Sequence, residues 1–311
     1  MKNKALISDI QHFSLGDGPG IRTTVFFKGC NLSCLWCHNP ESISSGPELL
    51  FFERLCSRCS RCALICPCHQ IADGRHLFRR EKCVSCGKCA QFCPSGALKL
   101  YGKSMSAEDI MEEILQDEEF YRQSGGGVTL SGGEPLLQAE FCALLAQECQ
   151  KRGIPVIIDT AGSLSYAQFE KVLPFITGVY LDLKGDSSQK MLEQTGAKLE
   201  LILDNLSRLI KDKIDVTVRI PVIPGYNDTP QSAVKSAQYI KAYGPAPVNL
   251  IPFHRLGSQK YAAMGTNYAY SQIPPLAPDR LEQLLKIYTN AGLEAEIMKS
   301  SLIRSNVHLS I

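Results

Sequence analysis

What this chain lacks narrows its class before any motif is read. It has almost no charge bias: 33 basic residues against 31 acidic leave a formal net charge of +2. Capture of a nucleic-acid backbone needs a basic stripe that such a balance does not support. Long apolar runs are missing too. No stretch approaches the ~20 apolar residues of a membrane span. Residues Met1 to Gly20 hold only short apolar pieces such as Ala5-Leu6-Ile7 and no secretory core. Neither nucleic acid nor a membrane is therefore expected as a partner, and the expected compartment is the cytoplasm. What remains is ordinary for a globular protein, with 44% hydrophobic and 21% charged residues. A length of 311 residues accommodates one large α/β domain and a small insert.

Cysteine is what the chain has in excess. Eleven of its 14 cysteines fall in three tight groups between Cys30 and Cys93. Such close neighbours suit metal clusters better than a disulfide framework, and a reducing cytosol keeps them as thiolates. Cys142 and Cys149 stand apart, seven residues along a predicted helix and so on one face, as core thiols do. The first group, Gly29-Cys-Asn-Leu-Ser-Cys-Leu-Trp-Cys-His38, spaces Cys30, Cys34 and Cys37 as C-x3-C-x2-C with Trp36 before the last. Three thiolates hold three irons of a [4Fe–4S] cube and leave the fourth iron open for a substrate. The competing reading is a zinc knuckle, which would recruit His38 or a distant ligand. The spacing resembles the signature of the radical S-adenosylmethionine (SAM) enzymes, in which the open iron chelates SAM.

Residues 56–66 read C-x2-C-x2-C-x3-C followed by Pro67, and residues 83–93 repeat the pattern before Pro94. This is the two-cluster bacterial ferredoxin pattern, in which each run's last cysteine serves the other run's cluster. One cluster would take Cys56, Cys59, Cys62 and Cys93, the other Cys83, Cys86, Cys89 and Cys66. Paired zinc sites are the alternative. Cys68 is either a substitute ligand or a bystander, and Pro67 favours Cys66. A unit this poor in apolar periodicity depends on its clusters for its fold. Electron transfer or docking of a redox partner is its expected task, with a purely structural role as the alternative.

Elsewhere short β-rich runs alternate with amphipathic segments. The predicted strands are Arg22–Lys28, Val128–Ser131, Pro155–Asp159, Gly178–Lys184, Val216–Pro221 and Val248–Phe253. The predicted helices are Ala107–Arg122, Gln138–Lys151, Tyr166–Leu173, Glu200–Lys211, Gln231–Ala242 and Asp279–Asn290. Nearly apolar strands between helices imply a parallel sheet buried on both faces. Six units are too few to close an eight-stranded barrel, so an open, partial (β/α)6 barrel is expected. Its chemistry should sit at the C-terminal strand ends. There the sequence places Gly132, Gly133 and Glu134, then Asp159 and Thr160, Asp182 and Lys184, Arg219, and His254. The carboxylates and lysine form either a salt-bridge network or a site for a cation or for SAM's charged groups.

Taken together, the chain resembles the glycyl-radical enzyme activating enzymes that carry a two-cluster insert. The likeness rests on Asp17-Gly-Pro-Gly-Ile-Arg22, the Cys30 triad with His-Asn-Pro-Glu41, the double cysteine runs, Ser124-Gly-Gly-Gly127 and Ser131-Gly-Gly-Glu-Pro135. It continues through Asp182-Leu-Lys184, Val218-Arg-Ile-Pro-Val-Ile-Pro-Gly225, Leu250-Ile-Pro-Phe-His254 and Lys260-Tyr-Ala-Ala-Met-Gly265. The resemblance implies three [4Fe–4S] clusters, SAM and a monovalent cation. It implies a reaction in which SAM is reductively cleaved and the resulting 5′-deoxyadenosyl radical takes a hydrogen from one glycine of a partner glycyl-radical enzyme. A one-electron reductant such as flavodoxin or ferredoxin would drive it.

By the same resemblance Cys30, Cys34 and Cys37 carry the catalytic cluster. Trp36, Gly132, Gly133, Glu134, Asp159, Lys184 and His254 contact SAM, with Glu134 at its ammonium. Asp159, Thr160 and Asp182 hold the cation, and Asp17 and Gly18 line the groove for the partner's loop. Ala161 stands where relatives often have Asn. The implied organisation is a radical SAM barrel over 1–50 and 98–299, a ferredoxin-like insert over 51–97, and an extension of unassigned role over 300–311. The rivals are a radical SAM enzyme for a small molecule and an electron carrier without catalysis.

Overall fold

A computed structural model describes residues 4–298. The expected extension, residues 300–311, lies outside the described residues, as does the last residue assigned to the barrel. The described residues form thirteen strands, β1 (Lys4–Ser14), β2 (Arg22–Phe27), β3 (Glu48–Phe51), β4 (His69–Ala72), β5 (Arg75–Phe78), β6 (Leu98–Tyr101), β7 (Lys103–Ser106), β8 (Gly127–Gly132), β9 (Val156–Thr160), β10 (Gly178–Asp182), β11 (Val216–Val222), β12 (Val248–Pro252) and β13 (Ala295–Ile297). Nine of them form one sheet in the order β13-β12-β11-β10-β9-β8-β2-β1-β7. From β2 through β8 to β13 every pairing is parallel, while β1 runs antiparallel to both its neighbours.

All six predicted strands are present, each within two residues of its expected ends. Their composition explains this. Val128, Leu130, Val156, Ile158, Val218, Val248 and Leu250 are β-branched or branched apolar residues no more than 1% exposed, the signature of strands covered on both faces. The covering helices are amphipathic. Leu199–Lys211 turns Leu199, Ile202, Leu203, Leu206 and Leu209 inward at helical spacing, each worth ~1.5–3 kcal/mol of burial.

One helix differs from expectation. Ala107–Arg122 is two helices, Ala107–Leu115 and Glu118–Ser124. Asp117 at the break is 3% exposed. Its Oδ2 accepts the Thr23 hydroxyl at 2.6 Å and lies 2.7 Å from His12 Nδ1. A buried carboxylate must be satisfied, and satisfying this one across β1 and β2 takes Asp117 out of the helical path. Strands β1 and β7 were not expected: β1, second from the edge strand β7, mixes buried with half-buried and exposed residues and has no continuous apolar run.

Strands β3 and β6 pair antiparallel, with Phe51 opposite Leu98. This ladder brackets residues 52–97. Within the bracket each cysteine run follows a 3-10 turn (Glu53–Leu55, Arg80–Lys82) and leads into a short helix (Arg61–Ile65, Lys88–Gln91). The second and fourth residues after each first cysteine are left-handed: Arg58 at φ 56° and Ser60 at 64°, then Ser85 at 50° and Gly87 at 75°. Side chains there cost roughly 1 kcal/mol or more each, so the duplicated shape is not one the backbone adopts by default.

Candidate active site

The C-terminal ends of the parallel strands open on a cavity of about 420 Å³. Phe26 of β2, Ser131 of β8, Asp159 of β9, Asp182 of β10, Arg219 of β11 and Ile251 of β12 all reach it. Its other wall is the loop after β2, which contributes Cys30, Cys34, Trp36, Cys37 and His38.

Backbone bonds fix this loop on both flanks. Gly29 and Cys30 donate their N–H groups to Ser42 and Ile43 carbonyls at 2.8 and 2.9 Å, and Ser33 donates to Thr195 at 2.9 Å. Trp36 is buried against Tyr226, ring centres 4.7 Å apart. The three cysteines are free and line the same space. Burial pushes the Cys30 thiol up to about 11 and Cys37 to about 12, and raises Cys34 as well. Buried thiols with no cation of their own beyond Lys184 are poor thiolates, and coordination to iron is what would deprotonate them. The donor set fits a cube held by three sulfurs.

The Gly-Gly-Glu segment acts on the protein itself. Gly133 and Glu134 donate to the Phe27 and Gly29 carbonyls, both at 2.8 Å. A Cβ on Gly133 would stand 2.2 Å from the Gly29 oxygen, and one on Gly132 would stand 2.3 Å from the Phe27 nitrogen. The glycines therefore let β8 strap down the base of the cysteine loop. Gly132 and Gly133 line the cavity, whereas Glu134 is 0% exposed and does not. Its carboxylate accepts Leu136 N–H (3.1 Å), the Thr160 hydroxyl (2.8 Å) and Ala161 N–H (2.9 Å). Burial raises its pKa to about 7 despite these donors. In this structure the Glu134 side chain ties β8 to β9 from behind, and Gly132 and Gly133 are what the segment presents to the cavity.

The charged strand ends are paired. Asp159 Oδ2 accepts the Ser131 hydroxyl at 2.8 Å and lies 3.3 Å from Arg219 Nη1. Asp182 Oδ2 is 2.6 Å from Lys184 Nζ. Burial works to lower the Lys184 pKa, but Asp182 and the nearby triad thiols outweigh it and hold it raised. Asp159 Oδ1 is buried with no partner, as is Arg219 Nε. The three expected cation ligands line the cavity together, with the Thr160 hydroxyl donated to Glu134 and Asp159 Oδ1 left as a buried oxygen without a partner.

His254 lines the cavity with its ring stacked on His38, centroids 3.9 Å apart, and His38 Nε2 is 2.7 Å from the His254 carbonyl oxygen. Burial lowers His38 to about 4 and lowers His254 too, so both rings are neutral at pH 7. Asp17 reaches the cavity while its Oδ2 accepts the Thr24 hydroxyl at 2.8 Å. Gly18, at φ 142°, packs on Arg22 instead, where a Cβ would meet Cδ at 2.6 Å. Sequence reasoning set aside His38 as a zinc ligand and gave Arg219 no role; their signal was position, next to Cys37 and at the end of β11.

In the bracketed segment a second, smaller cavity gathers Cys56, Cys59, Cys62 and Cys93 with His76. Cys66 joins Cys83 and Cys86 as the thiols near enough to act on Cys89, whose pKa burial lifts to about 12. Both sets contain the last cysteine of the other run. Cys68 is buried, and its thiol donates to the Lys82 carbonyl at 3.3 Å.

Residues 83–237 match the model of the radical SAM superfamily, a stretch that starts after the Cys30 triad. The chain is 40% identical over 307 residues to the benzylsuccinate synthase activating enzyme of Thauera aromatica, covering 94% of this chain and 92% of that one. It is 37% identical to the trans-4-hydroxy-L-proline dehydratase activating enzyme of Clostridioides difficile, covering 94% and 98%. The chain belongs to the glycyl-radical enzyme activating enzymes. A solved radical SAM methyltransferase from Sphaerobacter thermophilus shares the fold, with a TM-score of 0.57 at 14% identity over 95% of this chain and 77% of that one. Membership of the superfamily implies a [4Fe–4S] cluster and SAM. Among the described residues no helix of this activating enzyme is long and apolar enough to cross a membrane.

Proposed function

We propose that this activating enzyme installs a radical on one glycine of a partner glycyl-radical enzyme, using a SAM-binding cluster held by Cys30, Cys34 and Cys37. The observation that carries the reading is that this triad and the charged ends of β9, β10 and β11 share one cavity. When bound, the reduced cluster supplies the electron that splits SAM to methionine and a 5′-deoxyadenosyl radical.

The protein's own residues bind, orient and shield. Asp159 Oδ1 takes SAM's ammonium or a monovalent cation, completing a buried acceptor that lacks a partner. Lys184 and Arg219 face its carboxylate, each balanced by an aspartate. The neutral His38–His254 stack offers a flat face to the adenine. Asp17 lies where the glycyl loop enters. The six strands Arg22–Phe27 to Val248–Pro252 act as a partial (β/α)6 barrel over 1–50 and 98–299.

Residues 51–97 form a ferredoxin-like insert with two further [4Fe–4S] clusters, served by a cytoplasmic one-electron carrier such as flavodoxin or ferredoxin. The duplicated backbone and the two crossed cysteine sets support this. Cys68 stands one repeat before Ser95, whose hydroxyl is 3.7 Å from the Cys93 sulfur, so Cys68 is a neighbour of the second cluster and not its ligand. Small-molecule chemistry is not favoured, since the relatives spanning the chain are activating enzymes.

The test is anaerobic reconstitution with dithionite and SAM. 5′-Deoxyadenosine is expected from the native chain and none from Cys34→Ala. Absence of product from a sample carrying all its iron would reject the reading.

A further inference from the structure

The two cysteine runs repeat closely in backbone, but their surroundings differ. The hairpin β4–β5 delivers two histidines to the first run and nothing comparable to the second. His69 and His76 are 4% and 8% exposed. His76 Nδ1 lies 3.4 Å from Cys56 Sγ, and its Nε2 lies 3.0 Å from His69 Nδ1. Cys62 Sγ is 3.7 Å from the same Nε2. Among the described residues Cys83, the counterpart of Cys56, has only the backbone N–H of Ser85 at 3.4 Å.

The protons in this pair can be placed by elimination. His69 Nε2 is buried without a partner. An unpaired buried N–H costs more than an unpaired lone pair on a ring nitrogen. The His69 proton therefore sits on Nδ1 and is donated to His76 Nε2. That leaves the His76 proton on Nδ1, aimed at the Cys56 sulfur. Phe51 packs edge-on to the His76 ring at 4.3 Å and Phe78 stacks on His69 at 4.6 Å, holding both rings in place.

We propose that His76, positioned by His69, donates a hydrogen bond to the Cys56 thiolate of the first insert cluster and makes that cluster the more easily reduced of the two. This rests on the two-cluster reading of the insert. The physical ground is that an N–H on a ligating sulfur draws electron density from the iron and favours the reduced, more negative state. The asymmetry then gives an otherwise duplicated insert an order of reduction. His69 is a positioning residue, since it reaches the sulfur only through His76.

The experiment is a potentiometric titration of the reconstituted chain, followed by electron paramagnetic resonance (EPR). A Cys34→Ala background removes the triad's cluster, and iron, sulfide and zinc are counted on each sample. His76→Phe keeps a ring of similar volume and loses the N–H. At a solution potential where the easier cluster is half reduced, its reduced-to-oxidised ratio should fall about three- to tenfold, with the other cluster unmoved. His76→Gln, which keeps an N–H donor, should restore most of the ratio. His76→Leu, which also lacks the N–H, stands in if the Phe variant fails to assemble its clusters. Two intact insert clusters whose potentials ignore both substitutions would overturn the proposal alone. An insert short of iron, with zinc on Cys62, His69 and His76, would overturn the two-cluster reading and the proposal with it.

Discussion

At the scale of single residues, the site depends on contacts invisible to motif reading. Glu134 illustrates this. Its neighbours in sequence identify it as a site residue, but what it touches is set by the register of β8 against β9. Its pKa is raised from 4.5 to about 7 by burial. The folded state thus holds a proton that the unfolded chain has released. Stability is fully present below about pH 4.5 and declines as pH rises towards 7, by about 3 kcal/mol at most. Glu134→Gln should flatten that slope in thermal unfolding measured between pH 5 and pH 8; an unchanged slope would assign it elsewhere. Gly133→Ala should be far more damaging, because backbone stands 2.2 Å from the new methyl. The expected result is loss of the triad's iron with the insert's iron kept, read by metal analysis and 5′-deoxyadenosine yield. Cys68→Ser should leave iron content unchanged, whereas Cys93→Ser should lower it.

At the scale of elements, apolar patterning made the six central strands legible almost to the residue, since strands buried on both faces are nearly continuous apolar runs. The helices were legible for the complementary reason, a 3.6-residue stripe such as Leu199, Ile202, Leu203, Leu206. Leu206→Ala should cost about 3 kcal/mol and lower the unfolding midpoint without moving SAM cleavage at 25 °C. Tertiary demands were not legible. Asp117 breaks its helix to serve Thr23 and His12, and β1 owes its place to pairing with β2 and β7. The sequence placed the charged groups at the strand ends, yet their pairing, Asp159 with Arg219 and Asp182 with Lys184, required coordinates.

At the scale of the whole molecule, residues 52–97 are bracketed by one short ladder, β3 with β6. Phe51 and Leu98 are paired residues of one ladder, so a short turn can replace everything between them. That deletion should leave a folded barrel with one cluster that still cleaves SAM with dithionite, while reduction by a protein carrier falls at least tenfold. Failure of the deleted chain to fold would mean that the insert is part of the barrel's core. Contacts do cross the divide: Arg80 donates to the Ala263 carbonyl at 2.6 Å, and Lys260 of the same helix reaches Asn39 at 2.8 Å beside the cysteine loop. The helix Ser258–Met264 therefore links residues 52–97 to the loop that carries the triad.

The central claim is that this cavity directs a SAM-derived radical to a glycine of another protein. The most direct measurement is low-temperature EPR of the reduced protein mixed with SAM and a glycyl-radical enzyme from the same cell. The account predicts a carbon-centred doublet on the partner that is absent with Cys34→Ala and absent when the partner's glycine is replaced by alanine. Rapid 5′-deoxyadenosine formation with no radical on the partner would contradict it.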